Sequence, residues 1–280
     1  MAITKFIPEI WSANILVELQ KALVFGALTN RDYEGDIANA GDTVHVTGIQ
    51  DITVGTYTAH TDISIEAASD KDMGTLVIDQ AKYFAFELDD VEKRQALGGM
   101  QAQFTANAAY QLADVADRYV AGLMSSAAGS TVPSVTSSVD KPTDAYNTMV
   151  KLKTALDKQN VPTIGRWVVI SPDVHAQLLL DNRFISATES AHDTLMNGLV
   201  GTAAGFQIYV SNNTPYNDKT KAFTLLAGTN AATTFAQQIT SVEAARMQIR
   251  FADMVKGLHL YGGKVFKPKQ LAKVSYVLEA

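Results

Sequence analysis

The chain's 280 residues are 47% hydrophobic and 19% charged, a globular composition that excludes a disordered polymer and suffices for one large domain or two interlocked ones. Cysteine is absent, which excludes a disulfide framework, a thiolate zinc site and a thiol nucleophile. A net charge of −6 excludes the basic surface by which a protein grips nucleic acid through its phosphates.

The opening Met1-Ala2-Ile3-Thr4-Lys5-Phe6-Ile7-Pro8 has no basic stretch followed by an apolar core, so no secretory signal is expected. No apolar run approaches the roughly 20 residues that cross a bilayer. The expected setting is a cytoplasm, or something assembled there, with no membrane partner. From about Pro8 to Asp36, Trp11, Ile15 and Leu19 continue from Ile7 at helical spacing, and Val17, Val24 and Leu28 widen the apolar surface. This predicts an N-terminal helix on its own core, or an arm docked on a neighbour. A polar loop, Asn30 to Asp36, follows.

Between Gly41 and Leu88 the text is β-like: Thr43-Val44-His45-Val46-Thr47 and Ile63-Ser64-Ile65 alternate, and Thr75-Leu76-Val77-Ile78 and Lys82-Tyr83-Phe84-Ala85-Phe86 follow. Ser69-Asp70-Lys71-Asp72-Met73-Gly74 between them reads as a polar turn. A ribbon this long is marginal alone in water, so it must lie on the rest of the chain or on another copy. Asp89-Asp90 and Glu92 then open a long helix, about 90–128. Met100, Phe104, Ala108, Leu112, Val115, Tyr119 and Leu123 form its stripe, and Gly98-Gly99 breaks off a short first piece. The long piece would span roughly 40 Å at 1.5 Å per residue.

Ala127 to Val139 is rich in Ser, Gly, Thr and Pro and reads as a connector. A helix is expected from Lys141 to about Gln159, and a strand over Arg166-Trp167-Val168-Val169-Ile170. Ser171-Pro172-Asp173 supplies an N-cap, a proline at the first position and an acid on the positive dipole end, predicting a helix to about Asp181-Asn182. Beyond Ala203 strands dominate: Phe206–Val210, Ala222–Gly228, Met247–Phe251, Val255–Tyr261, Lys264–Phe266 and Lys273–Leu278, with a turn at Asn212-Asn213-Thr214-Pro215. No regular βαβ rhythm emerges, so the fold class is α+β.

No catalytic constellation can be assembled. His45, His60, His175, His192 and His259 show no spacing that places two imidazoles on one helix face. No Gly-x-Ser-x-Gly elbow exists, and Ser171 is a helix cap. Asp89 and Asp90 could suggest paired carboxylates, but adjacent acids at a helix start serve the dipole. Gly257 through Gly262-Gly263-Lys264-Val265 fails the phosphate-loop pattern at Leu258 and Val265, and its glycines read as a bulge or bend between strands. Gly201 and Gly205 lack the dinucleotide pattern. Asp70-Lys71-Asp72-Met73-Gly74 opens like a calcium loop but has no Glu at the twelfth position. Asn212-Asn213-Thr214 matches a glycosylation sequon without a secretory signal. No catalytic, cofactor or metal site is expected.

The order of arm, ribbon, long helix and β-rich end resembles the Hong Kong 97-type fold of tailed-phage major capsid proteins. Asn30-Arg31-Asp32-Tyr33 with Gly41-Asp42-Thr43-Val44 resembles the family's arm-to-ribbon passage, and Tyr83 through Asp90 its ribbon-to-spine passage. Pro162 through Pro172, and Phe251-Ala252-Asp253 with Gly257-Leu258 through Tyr261-Gly262, resemble later blocks. The resemblance implies an N-arm at 1–40 and an E-loop at 41–88. It implies a peripheral (P) domain at 89–202, with the spine helix and the start of the axial (A) domain. Residues 203–280 would be mostly A-domain, with closing strands returning to the P-domain. It further implies hexamers and pentamers of an icosahedral shell around double-stranded DNA, held without sequence-specific binding; the acidic balance suits such an inner wall. Expected partners are other copies of the chain, a separate scaffolding protein (the arm begins near Met1), a portal and a decoration protein. Lys71 and Lys82 lie in the ribbon, but no motif identifies a cross-linking set, so covalent cross-links are not expected. The alternatives are an encapsulin-like compartment shell and an unrecognised α+β soluble enzyme.

Overall fold

The computed structural model describes residues 24–33, 43–49, 70–89, 100–138, 143–181, 199–246 and 252–279, with 54, 56, 62 and 141. Its strands are β1 (Thr43–Ile49), β2 (Asp70–Val77), β3 (Gln80–Asp89), β4 (Ser130–Ser138), β5 (Arg166–Ile170), β6 (Leu199–Ala203), β7 (Phe206–Val210), β8 (Tyr216–Asn217), β9 (Ala222–Thr229), β10 (Thr233–Arg246), β11 (Ala252–Val265) and β12 (Leu271–Glu279). The helices are α1 (Met100–Ala127), α2 (Thr143–Lys158) and α3 (Pro172–Leu180). The expected N-terminal helix, the break at Gly98-Gly99 and the strand at Met247–Phe251 lie largely or wholly outside the described residues.

A mixed sheet in the order β4-β12-β9-β5-β7-β6, with β8 beside β9, forms the centre. Its strand β5 is buried along its whole length, as a strand covered on both faces must be. Val168 and Ile170 point to one core with Met149, Leu152 and Leu156 of α2 and Val174 and Leu178 of α3. Trp167 and Val169 point to a second core with Ala116, Val120, Ala121 and Met124 of α1. The period of two in the strand therefore glues a different helix to each face.

Several polar groups around the mixed sheet are matched. Arg166 is buried; its guanidinium donates to the carbonyls of Pro162 at 2.8 Å and Val161 at 2.6 Å and pairs with Asp157 at 2.6 Å. Gln177 of α3 donates to the Ser138 carbonyl at 2.9 Å and accepts from the Tyr276 hydroxyl, tying that helix to β4 and β12. Ser171 caps α3 by accepting from the Val174 amide at 3.5 Å. Ser171→Ala is expected to lower unfolding stability by about 1 kcal/mol, read from the urea midpoint at unchanged slope.

The second sheet runs β10-β11-β3, antiparallel throughout. It carries α1 on one face, where Phe84 packs on Leu112 and Ala113 and Tyr261 meets Tyr119 edge-on. The buried face of α1 is Leu112, Ala113, Ala116, Asp117, Val120, Ala121 and Met124. The expected stripe drifts off it: Val115 is exposed, and Tyr119 and Leu123 are half-buried. The three-residue step from Leu112 to Val115 turns the stripe back by about 60° on a helix of 3.6 residues per turn, whereas continued four-residue steps fall on the buried Ala116, Val120 and Met124; small alanines let the helix approach the sheet closely.

Four further expectations are corrected. The connector at 127–139 contains a nine-residue strand, β4, parallel to β12. It is an edge strand, and Pro133 falls where the register slips between Val132 and Val135, so its missing N–H breaks no ladder bond. The polar turn at 69–74 is instead the start of β2, whose ladder with β1 skips Met73 at a bulge, with Gly74 at φ +107. Gly257, Gly262 and Gly263 do not separate strands; all three lie inside the continuous β11. Strands β6 and β10 were not expected, because Thr233 to Arg246 carries no clean alternation and becomes a strand through pairing with β11.

Candidate assembly surface

The residues tested for chemistry are scattered. His45 is exposed and shares a 3.3 Å contact with the Thr75 hydroxyl. His175 is half-buried on α3, and burial lowers its pKa. His259 is buried beneath α1 with neither ring nitrogen bonded, and desolvation lowers its pKa to about 4. His60, His192 and Asp90 lie outside the described residues, and Asp89 pairs with Ala252 within the sheet. Asp70 to Gly74, being a strand, cannot wrap a cation. Among the described residues no three His, Asp or Glu side chains converge as metal ligands, and no helix is long and apolar enough to cross a membrane.

The structure instead presents three other places of note. The first is the root of the hairpin β1–β2. Leu76 and Ile78 plug into Ala236 and Leu260 on the face of the second sheet opposite α1. Lys264 of β11 donates to the Thr75 carbonyl at 3.0 Å, and a Cβ on Gly74 would lie 2.5 Å from its Nζ. Tyr119 of α1 donates to Asp79 at 3.3 Å, and burial followed by that carboxylate raises its pKa. Beyond this root, β1 and β2 form a sheet of their own. The ribbon expected at 41–88 thus divides: 80–89 pair with the chain's own β11, and 43–49 pair with 70–77 in a separate sheet.

The second place is the outer face of β3. It is an outermost strand of its sheet, and Tyr83 is 78% exposed there. Long edge strands with exposed aromatics are a liability in a monomer and a template in an assembly. Tyr110 on α1 is 61% exposed and Ile164 is 89% exposed, so apolar side chains face outward on several sides.

The third place is the segment 24–33. Phe25 and Leu28 are buried against Trp167, Phe235 and Tyr261. Asn30 exchanges backbone bonds with Thr233 at 2.8 Å and Phe235 at 3.0 Å, extending the second sheet beside β10. Asp117 of α1, buried, accepts from the amides of Val24 at 3.0 Å and Phe25 at 2.7 Å and from the Asn213 side chain at 3.0 Å. Desolvation raises its pKa against those hydrogen bonds. Sequence reading passes over Asp117, because a lone acid in a helix ordinarily faces water and its partners are distant in sequence. Asn213 owes its role to this bond.

A family model described as phage capsid protein matches residues 72–274. A solved structure from Mycobacterium phage Che8 is similar at 30% identity over 98% of each chain, with a TM-score of 0.73. The capsid structure of cyanophage P-SCSP1u is similar at 15% identity over 87% of this chain and 85% of that one, with a TM-score of 0.67. A virus-like particle from Pyrococcus furiosus shares the fold at 12% identity, 95% and 98% coverage and a TM-score of 0.57. No curated protein sequence matches.

Proposed function

The chain belongs to the phage capsid protein family, which makes it a structural subunit of a self-assembling shell with the Hong Kong 97-type fold, and from that premise we propose that it is the major capsid protein of a tailed double-stranded DNA phage. Hexamers and pentamers of the chain would build an icosahedral shell that is assembled in the host cytoplasm and encloses the genome without sequence-specific contacts. The observation that carries this reading is the hairpin β1–β2, a two-stranded sheet of its own whose base packs on β10 and β11 through Leu76 and Ile78. A two-stranded ribbon is marginal in water, so its remaining surface calls for a neighbouring subunit, at roughly 25 cal/mol per Å² of apolar area buried.

The E-loop is assigned to the hairpin, and the P-domain to α1 with the sheet β10-β11-β3. The A-domain is assigned to the mixed sheet with α2 and α3. Both sequence blocks, 89–202 and 203–280, contribute to the mixed sheet, and the second supplies β10 and β11 to the other. A separate scaffolding protein, a portal and a decoration protein are the proposed partners.

The test is expression with the candidate scaffold, followed by electron microscopy and assay of nuclease-protected nucleic acid in purified particles. Closed shells are expected from the expression, and DNA-filled shells from particles purified after a productive infection. Small monomers under every condition would sink the reading, and shells that hold an enzyme cargo and never DNA would move it to a compartment. SDS boiling of mature particles should release single chains rather than covalent ladders.

A further inference from the structure

Val24 and Phe25 meet α1 at Asp117, where both amides converge on one carboxylate oxygen. The other oxygen accepts from Asn213, whose own carbonyl oxygen accepts from Arg118 Nε at 3.4 Å, which orients the amide. Arg118 is steadied in turn by Asp114 at 2.6 Å. One side chain thus joins three segments that lie more than 90 residues apart. A carboxylate is an expensive choice for this position, since burying a charge carries a large desolvation penalty. Alanine packs the same helix face at positions 113, 116 and 121. An alanine at 117 would fill space but could not accept two consecutive N–H groups in a set direction. Phe25, Leu28 and Asn30 already hold the segment downstream, so the carboxylate is not needed merely to attach it.

We propose that Asp117 is a latch that fixes the direction of the backbone at Val24 and Phe25 and couples it to the spine helix and the turn at 211–215. Where it concerns assembly, this rests on the capsid reading: an arm that must reach a neighbour needs a defined point and angle of departure. The latch is a positioning residue, distinct from the contacts the arm itself makes.

The experiment is amide hydrogen exchange on the unassembled full-length chain, followed by scaffold-driven assembly of the same samples. In Asp117→Ala, exchange at Val24 and Phe25 should accelerate at least tenfold, while amides of β5 and β12 keep their wild-type protection. Particle yield should fall by a similar factor. Asp117→Asn keeps an oxygen for the two amides but sets an N–H group against the Asn213 amide, so it and Asn213→Ala should both fall between wild type and Asp117→Ala in both readouts. Unchanged exchange at Val24 and Phe25 in Asp117→Ala overturns the latch, as does loss of protection spread evenly through β5 and β12. Localised exchange with wild-type particle yield overturns its role in assembly. Should Asp117→Ala fail to fold, Asn213→Ala decides: no local acceleration overturns the proposal. If the wild-type chain forms no particles, the capsid reading fails while the exchange data still decide the latch.

Discussion

Gly262→Ala is expected to destabilise the unassembled subunit by about 3 kcal/mol or more, while Gly122→Ala stabilises it by about 0.5–1 kcal/mol. The two substitutions add the same methyl group. At Gly262 the new Cβ would overlap the Val77 carbonyl oxygen and come within 2.9 Å of the Ile78 Cα. Both obstacles are backbone, so neither can rotate aside, and relief requires lifting the hairpin root off β11. That movement would also withdraw Leu76 and Ile78 from Ala236 and Leu260. At Gly122 nothing lies within 4 Å of the added atom, and alanine reduces the entropy lost when the helix forms. Urea denaturation of both variants at unchanged slope checks the pair. A neutral or stabilising shift for Gly262→Ala would show that the close approach of β11 to the hairpin root does not exist in solution. Particle yield should fall for Gly262→Ala, since the hairpin would then project from a displaced base.

Acidification from pH 7.5 to 4 is expected to remove roughly 3 kcal/mol of stability through His259 alone, taking about 1.4 kcal/mol per unit of pKa shift. Burial lowers this imidazole from its ordinary 6.5 to about 4 in the folded chain. Between those values the unfolded chain binds a proton that the folded chain refuses, so stability falls as pH falls through the window. Above pH 6.5 both states are neutral and the effect vanishes. Asp117 works the other way: its raised pKa means the folded chain takes up a proton first, which favours folding on acidification. The His259 contribution is therefore read as a difference. His259→Leu should show a loss of stability between pH 7.5 and pH 4 smaller than wild type by roughly 3 kcal/mol. Parallel pH profiles for the two proteins would mean that His259 is not held neutral in the folded chain.

Much of the architecture is legible in the residues themselves. Arg166-Trp167-Val168-Val169-Ile170 is a short β-branched run bounded by turn residues, and Ser171-Pro172-Asp173 states a helix start in three letters; both elements form where expected. Such signals are local, because propensity, capping and burial agree within a few residues. The order of segments carried the family resemblance for the same reason. Segments 130–138 and 233–246 were opaque, since their composition is neutral or loop-like and their strands are made by partners: β12 for one and β11 for the other. The glycines of β11 misled in the opposite direction, reading as a bulge or bend between strands when Gly262 marks where the Val77–Ile78 backbone comes close and Gly257 where the Phe84 ring lies.

The projecting segments stand between these two cases. Sequence alone determined that the chain has more extension than one compact domain requires, because period-two patterning over a long stretch without intervening helix cannot bury itself. It also determined the absence of any spacing suited to a metal, a phosphate loop or a nucleophile. Only the tertiary structure decided where extension ends and body begins: β3 belongs to the sheet with β11, and Ile78-Asp79 is the junction from which β1 and β2 project. Only it revealed that Asp117 gathers Val24, Phe25 and Asn213. Local sequence encodes backbone preference and periodicity, whereas a buried carboxylate acquires its partners from segments that meet only after the chain has folded.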